Sequence, residues 1–476
     1  MRKLFTLCLI VFLMGFNHIK AQEPIPWNLE NVTENFQIFW LIDTPEDLIW
    51  LTDTLNLDPN NDGTNDFATT AEKWDANYRL TSNIVFNSDS SLVDWNNDGT
   101  VDIEESGDSI GLKSIGDWND AEGNAVFFSG HFDGQYYTIF NPYIGQQTRG
   151  AMFGNIKGAT IENLRILNLR AYPHKGYYGG IAARATEDPG ELEDNIISRC
   201  WVEGSFNWIV LNDGNLYSGG IIGRMQYGEI SECVTKVSAV AGIEDDRRFA
   251  GIIGQMQGEV SVTDCYSIAS VHMEEQFGGL LGRVAAAPEA SIENCYAVAT
   301  LTGAETPDQR GIFAGDLGST VPVSCYYDNE VDPDEAGVGG GDQAAIDAVV
   351  GLAAADFSTE ANFTGWDFTN TWMIGDVDGV QRPYLQWQEM AREKTNTKRI
   401  ISGSEMIHVY PNPVENYFTI ELNNQAKEYK ILNVLGQIME SGTIESQKTT
   451  INISDFKEGI YLLKVDDLGI KRIIKK

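Results

Sequence analysis

Oxygen-bearing groups alternate along a short segment between positions 94 and 105. Oxygen donors recur at every second or third position, at Asp94, Asn96, Asp98, Thr100, Asp102 and Glu105. Gly99 lies among them at a sharp turn. This spacing wraps hard oxygen ligands around one point, which is the arrangement that Ca²⁺ prefers. The segment therefore predicts a structural calcium loop, whose ion would neutralise acids that otherwise repel one another. The alternative is a surface turn rich in Asn, Asp and Gly.

A second, incomplete copy of this pattern lies upstream. It has Asp58, Asn60, Asp62 and Asp66 at matching positions, but Thr69 stands where the first copy has its final glutamate. Since that glutamate normally binds with both oxygens, we expect weaker or different calcium binding here.

Aromatic residues cluster in the middle of the chain and suggest a different chemistry. Five of them could form a strip that stacks against sugar rings: Tyr177, Tyr178, Trp201, Trp208 and Tyr217. Packing in a core or at a corner is the alternative for most of them. The pattern therefore indicates candidate ligand-binding residues for a carbohydrate.

Signals for catalysis are weak, and no catalytic residue is assigned. The histidines beyond residue 21 (His131, His174, His272 and His408) are scattered, and no nucleophile, zinc or phosphate-loop motif accompanies them. Glu232 and Asp264 occupy equivalent repeat positions, preceded by Arg199, so two carboxylates one repeat apart could perform acid/base work. A solvated charged row is the simpler interpretation.

Two short motifs repeat at a nearly constant interval and predict the fold. Cysteines at 200, 233, 265, 295 and 325 are spaced by 33, 32, 30 and 30 residues, and a motif such as Gly219-Gly220-Ile221-Ile222-Gly223 lies between them. Period-two strands follow each cysteine, and one such unit buries its apolar face only by stacking on another. We therefore predict an all-β, right-handed parallel β-helix (β-solenoid). Its glycines would serve corners with positive φ or close backbone approach.

The cysteines are predicted to form a buried ladder. Disulfides are the alternative, and they would form if the chain is exported to an oxidising compartment. Their odd number and in-register stacking favour free, buried thiols, and no Cys-x-x-Cys or paired histidine indicates zinc.

The combination of Gly-Gly-Ile-Ile-Gly with Ile230-Ser231-Glu232-Cys233 resembles the GLUG-motif repeats of adhesin-like bacterial surface proteins. The resemblance covers about residues 38–387. It implies cap coils at 22–140, repeats at 141–330 and a closing cap at 331–390. It also implies a surface role, and it supplies no catalytic residues.

The last 70 residues form a separate module after a polar linker at 391–406. Alternating strands and turns predict a small β-sandwich over 407–476. Its segments resemble the type A C-terminal sorting domain of the type IX secretion system. The residues that carry this resemblance, and that would form the sorting signal, are Tyr410, Pro411, Asn412, Pro413, Gly436, Gly459, Tyr461, Lys475 and Lys476. That resemblance implies the type IX machinery as a partner and a location outside the outer membrane of a Gram-negative bacterium.

The N-terminus and the charge complete this interpretation. Basic Arg2 and Lys3, an uncharged run and Ala21 predict a signal peptide over 1–21. No later stretch is apolar enough for a transmembrane segment. The formal charge of −36 lies before residue 407 and disfavours nucleic acid as a ligand.

The sequence therefore predicts a secreted or cell-surface, adhesin-like β-solenoid that binds a polysaccharide or a host or cell-surface ligand. The first alternative is a polysaccharide lyase or glycoside hydrolase on a β-helix. The second is a structural component of a surface layer or matrix.

Overall fold

The computed structural model forms two compact units, Met1–Ala391 and Arg392–Lys476. It describes residues 31–34, 37–54, 76–86, 112, 114–116, 127–145, 149–173, 176–186, 194–207, 216–240, 247–273, 276–285, 287, 289–303, 310–397, 408–410, 414–421, 427–433, 438–444, 446, 448–457, 459–465 and 469–476. The predicted signal peptide and both predicted calcium loops lie outside these residues.

Three parallel sheets, here named A, B and C, build the first unit. Sheet A contains Asn31–Glu34, Gln37–Ile42, Asn77–Leu80, His131–Asp133, Phe153–Ile156, Thr160–Glu162, Ala182–Ala185, Ile196–Ser198, Ile222–Ser231, Ile253–Thr263, Leu281–Ala285, Ser291–Glu293, Ala314–Asp316 and Val338–Gly340. Sheet B contains Ile84–Val85, Thr138–Phe140, Tyr143–Ile144, Arg165–Ala171, Trp201–Asn207, Val234–Val240, Tyr266–Met273, Tyr296–Gly303, Cys325–Asp328 and Val349–Leu352. Sheet C contains Arg149–Gly150, Gly176–Gly179, Leu216–Gly219, Arg247–Ala250, Phe277–Gly278 and Arg310–Gly311.

Each turn of the chain runs through sheets C, A and B in that order. The strand Leu216–Gly219 leads through a glycine corner to Ile222–Ser231, and Val234–Val240 follows in sheet B. Every pairing within the three sheets is parallel except the first, between Asn31–Glu34 and Gln37–Ile42. Equivalent residues therefore stack along the axis, and the predicted parallel β-solenoid is confirmed.

Two of the three corners in each turn rely on different residues. Between sheets A and B, a non-glycine residue adopts positive φ in each turn, at Asn163, Arg199, Glu232, Asp264, Asn294 and Ser324. Between sheets C and A, Gly180, Gly220, Gly251 and Gly279 stack without positive φ, because the backbones of neighbouring turns approach closely there. Of the two roles predicted for these glycines, close approach is the one observed.

Within the described ranges, the helices are the α-helices Pro45–Thr54, Gln343–Asp347 and Trp387–Thr397 and the 3₁₀-helices Ala354–Ser358 and Glu360–Asn362. The first begins at a capping box, in which the Asp47 carboxylate accepts the Thr44 N–H and the Thr44 hydroxyl accepts the Asp47 N–H. The sequence analysis did not anticipate this helix.

The C-terminal unit has two antiparallel sheets. One contains His408–Tyr410, Tyr417–Glu421 and Lys448–Asn452; the other contains Lys427–Asn433, Ile438–Ile444, Gly459–Val465 and Gly469–Lys475. Phe418, Ile431, Leu463 and Ile473 are fully buried between them. The predicted small β-sandwich is confirmed.

The five cysteines of the repeats are free and buried. Each follows a positive-φ corner residue and donates its thiol to the carbonyl two residues earlier, as Cys265 does to Thr263 at 3.2 Å. Burial raises the pKa of the Cys200, Cys265 and Cys325 thiols.

We expect all five thiols to be unreactive in the folded protein, because their burial excludes the reagent. In a chain that starts at Gln22, a thiol assay should detect no reaction under native conditions and all five thiols in denaturant. Fewer than five in denaturant, restored by a reductant, would instead reveal a disulfide.

Candidate functional site

A C-terminal strap, residues 354–391, covers part of the outer face of sheet B. Beneath it, large side chains stack across neighbouring strands in the register Trp201, Val234, Tyr266, Tyr296 and Tyr326. The strap adds Trp366, Trp372 and Trp387, and these residues share one buried cluster. This covering removes the aromatic ladder from solvent, so it serves packing and offers no ligand surface.

The strap is also held by polar contacts at the corner between sheets A and B. The indole N–H of Trp372 donates to the Asp264 carboxylate at 2.8 Å, and that of Trp387 donates to the Glu232 carbonyl at 3.1 Å. The strap includes a hairpin formed by Trp372–Val377 and Val380–Leu385. Its Arg382 forms an ion pair at 2.6 Å with Asp328 of sheet B, and both side chains are buried. The strap is therefore a fixed part of the solenoid surface.

A charged cluster lies along the same corner. The Glu162 carboxylate contacts the His131 imidazole at 2.9 Å and also accepts a hydrogen bond from Arg199. Arg199 also donates a hydrogen bond to the Asn163 amide oxygen at 2.7 Å and forms an ion pair with Glu232 at 3.7 Å. The hydrogen bond from His131 holds the pKa of Glu162 below its usual value, aided by Arg199 and opposed by burial.

Glu232 and Asp264, the two acidic residues that the sequence offered for acid/base catalysis, are both engaged by neighbouring side chains. Burial raises the pKa of Glu232, which Arg199 opposes and Asp264 reinforces. Burial also raises the pKa of Asp264, although the hydrogen bond from Trp372 opposes the shift. Asp264 is hydrogen-bonded to the strap, and Arg199 is shared between Glu162 and Glu232. This row of side chains therefore chiefly holds the strap and the neighbouring turns in place.

The substitution Glu162→Gln should lower stability at pH 7 by about 1–2 kcal/mol, because it replaces charge-assisted hydrogen bonds with a neutral amide. The pKa of Glu162 is depressed in the folded state, so its contribution is complete above the unfolded pKa of about 4.3 and is lost as the pH falls through the folded value. The difference between the two proteins should therefore shrink below about pH 4.

Urea unfolding followed by tryptophan fluorescence at several pH values measures this difference. Exposed Glu259 on sheet A supplies the control Glu259→Gln, which should change stability little at any pH. A Glu162→Gln penalty that is independent of pH would contradict this account.

An open groove of about 540 Å³ lies on sheet B beside the strap. Its lining comprises Asn168, Glu203, Gly204, Lys236, Val237, Ser238, Ile268, Ala269, Ser270, Val298, Thr300 and Val331. Ser238, Ser270 and Thr300 are register partners, so their hydroxyls form a ladder along the groove. The sequence analysis missed these residues, although small polar side chains at equivalent repeat positions were a usable signal.

The predicted sugar-binding aromatics separate into three environments. Tyr178 is fully buried in the core, and Trp201 lies in the cluster under the strap. Tyr177 and Tyr217 stack on sheet C with ring centroids 5.6 Å apart. Trp208 lies outside the described residues. Of the four predicted aromatics that are described, the structure stacks Tyr177 and Tyr217 on each other.

The predicted calcium ligands, from Asp58 to Asp66 and from Asp94 to Glu105, lie outside the described residues. Among the residues that are described, no group of three or more His, Cys, Asp or Glu side chains is arranged to hold a metal ion. Calcium binding by the two loops stays a prediction.

In the C-terminal unit, the predicted sorting residues have several placements. The Tyr461 hydroxyl donates to the Lys457 carbonyl at 3.0 Å, and Gly459 pairs with Lys475. Tyr410 and Lys476 are exposed. Pro411, Asn412, Pro413 and Gly436 lie outside the described residues.

A comparison with known families matches residues 408–476 to the secretion system C-terminal sorting domain. The C-terminal unit is a type IX sorting domain. The protein is thus directed by the type IX machinery to the cell surface or beyond, which confirms the predicted localisation. Among the described residues, no helix is long and apolar enough to cross a membrane.

Solved structures include a similar chain described as a "putative immunoglobulin A1 protease" from Bacteroides ovatus. It is 16% identical, with a TM-score of 0.48, over 73% of this chain and 92% of that chain. A likeness at this level says nothing about activity. The comparison with curated proteins found no significant match.

Proposed function

We propose that this protein is an adhesin-like binding protein that holds a polysaccharide chain in the groove on sheet B. The groove itself carries the proposal. It crosses five neighbouring strands, a span of about 19 Å at the usual strand spacing. An extended polymer fits such a surface better than a compact ligand does. The resemblance to GLUG-motif surface proteins supports the same function.

The chemistry of the lining supports a carbohydrate. Half-buried Ile268 and exposed Val331 supply apolar surface for the C–H faces of sugar rings, and the ladder of Ser238, Ser270 and Thr300 supplies hydroxyls for hydrogen bonds. A few polar groups set in an apolar wall are typical of a specific binding site.

Binding is better supported than glycoside hydrolysis. Hydrolysis normally requires two carboxylates that flank the bond to be cleaved. Among the described residues that line the groove, Glu203 is the single carboxylate, and it lies 3.7 Å from Arg165. The proposed role of the two acidic loops is calcium-dependent stiffening of the first unit.

A polysaccharide-binding screen tests this proposal on the intact protein. It should be run with Ca²⁺ and with a chelator, and product release should be measured for every polymer that binds. The substitution Ser270→Trp fills the groove and should weaken binding at least about tenfold, since lost contacts worth 1.4 kcal/mol correspond to a factor of ten. Val240→Trp, on the same exposed face but outside the groove lining, is the matched control and should bind normally.

Binding without product release would support the adhesin-like function. Release of oligosaccharides would favour a lyase or hydrolase. Equal binding by Ser270→Trp and Val240→Trp would exclude the groove as the site. Absence of binding to any polysaccharide would favour the structural or matrix alternative.

A further inference from the structure

Planar side chains stack along the outer face of sheet C. Arg149, Tyr177, Tyr217 and Arg248 are register partners on four successive strands. The two tyrosine rings are nearly parallel, at 13°. The Arg149 guanidinium lies 5.0 Å from the Tyr177 centroid, and that of Arg248 lies 4.9 Å from the Tyr217 centroid. The faces of both rings are therefore engaged, and the pair cannot act as a flat platform for a sugar ring.

Two further arginines approach the same tyrosine from sheet A. Arg184 and Arg224 are register partners on adjacent strands. Their guanidinium carbons lie 5.5 Å and 5.8 Å from the Tyr177 centroid. The Tyr177 hydroxyl accepts a hydrogen bond from Arg224 at 2.9 Å. Positive charge is thus concentrated around one tyrosine, in a chain whose formal net charge is −36.

The partners of Arg184 and Arg224 are neutral. Arg184 donates to the Gln226 amide oxygen at 2.9 Å, and Arg224 donates to the Gln257 amide oxygen and to Tyr177. In the part of the chain that the structure describes, neither arginine forms an ion pair, and the Nε atom of each is buried without a hydrogen-bond acceptor. By contrast, Arg283 in the same ladder faces Asp316 at 3.7 Å.

This arrangement is costly without an anion. Adjacent like charges repel, and burial penalises a charged group that lacks a counter-ion. Burial lowers the pKa of Arg184, and Arg224 lowers it further, whereas Tyr177 opposes the shift. Guanidinium groups bind planar or tetrahedral oxyanions through paired N–H donors. A bound oxyanion would satisfy the buried donors and relieve the repulsion.

We propose that Arg184, Arg224 and Tyr177 form an anion-binding site that takes the carboxylate or sulfate group of an acidic polysaccharide. The choice of a sugar polymer as the carrier of the anion rests on the proposed function, but the site is separate from the groove on sheet B. A single-stranded nucleic acid is disfavoured, because the rings of Tyr177 and Tyr217 are already stacked on each other and on arginines, which leaves no free aromatic face for the bases.

Affinity electrophoresis of the intact protein tests this proposal. Gels should contain polygalacturonate, dextran sulfate, neutral dextran or single-stranded DNA. One or both acidic polysaccharides should retard the protein, and the retardation should weaken between about 50 mM and 500 mM NaCl as charges are screened. The double substitution Arg184→Gln/Arg224→Gln should reduce the affinity at least about tenfold. Arg283→Gln removes the same charge from the same ladder and should stay within about twofold, since its acidic partner makes it a poor anion site.

The comparison of polygalacturonate with dextran sulfate distinguishes the carboxylate from the sulfate. Ser270→Trp should leave binding to the acidic polymers intact, which separates this site from the groove and keeps the two proposals independently testable. Equal retardation by neutral dextran, retardation by DNA alone, no retardation by either acidic polysaccharide, or unchanged binding by the double variant would each overturn the proposal.

Discussion

Replacement of Arg382 with leucine is expected to destabilise the first unit by about 3–5 kcal/mol, the cost of leaving a buried charge without its partner. The Arg382 and Asp328 side chains are 6% and 0% exposed, and they meet at 2.6 Å. Among the described residues, Asp328 would keep its contact with the Glu330 N–H, at 2.9 Å. The strap, which Arg382 joins to sheet B, should loosen as a result.

Urea unfolding measures this effect selectively. All 11 tryptophans precede residue 391, so their fluorescence reports on the first unit and excludes the sorting domain. Lys236 provides a matched control, because it pairs with Asp378 of the same hairpin at the same 2.6 Å but with both side chains about half exposed. Lys236→Leu should cost less than about 1 kcal/mol, as exposed ion pairs usually do.

A double variant strengthens this test. Arg382→Leu combined with Asp328→Leu removes both charges together and should recover much of the lost stability. If Arg382→Leu and Lys236→Leu proved equally mild, the buried pair would not hold the strap in the way described.

Substitution of Gly251 by alanine is the second large effect, with an expected loss of about 3 kcal/mol or more. A Cβ atom at this position would lie 2.1 Å from the Gly279 carbonyl oxygen and 1.8 Å from the Ser267 hydroxyl. A serine rotamer can change, but the carbonyl belongs to the backbone of the next turn. The turns would have to separate, and the parallel hydrogen bonds around them would lengthen.

Thermal or urea unfolding of Gly251→Ala should show this loss. Ala250→Gly is the control, since it changes one methyl group at the preceding residue of the same corner and should cost about 1 kcal/mol or less. A Gly251→Ala protein as stable as the parent would mean that the glycine ladder does not set the spacing of the turns.

The sequence indicates the repeat but leaves open what its glycines do. Gly220 and Gly251 were compatible with positive φ or with close approach, and only the stacked turns show close approach. Positive φ falls instead on Glu232, Asp264 and their equivalents, where only the Asn and Asp members are residue types that favour this conformation. The reason is physical: a spacing of about 30 residues is visible in one dimension, whereas contact between turns depends on the register of the sheets.

The candidate sites, like the glycine corners, could be predicted only in part from the sequence. The aromatic cluster in the sequence suggested one sugar-binding strip, yet Tyr178 is in the core, Trp201 is under the strap and Tyr177 is surrounded by arginines. Trp372 meets Asp264 across 108 residues of sequence. No local pattern predicts such a contact, because the fold of the whole unit brings the strap back over sheet B.

The amino-acid sequence by itself therefore determined the parallel β-solenoid, the C-terminal sorting domain and the secretion of this protein, because periodic strands and a compact module leave local signals in the chain. The tertiary structure alone decided that the strap seals the aromatic ladder, that a groove stays open on sheet B and that Arg184 and Arg224 meet at Tyr177. These features arise from contacts between turns and from the returning strap, and long-range packing sets both.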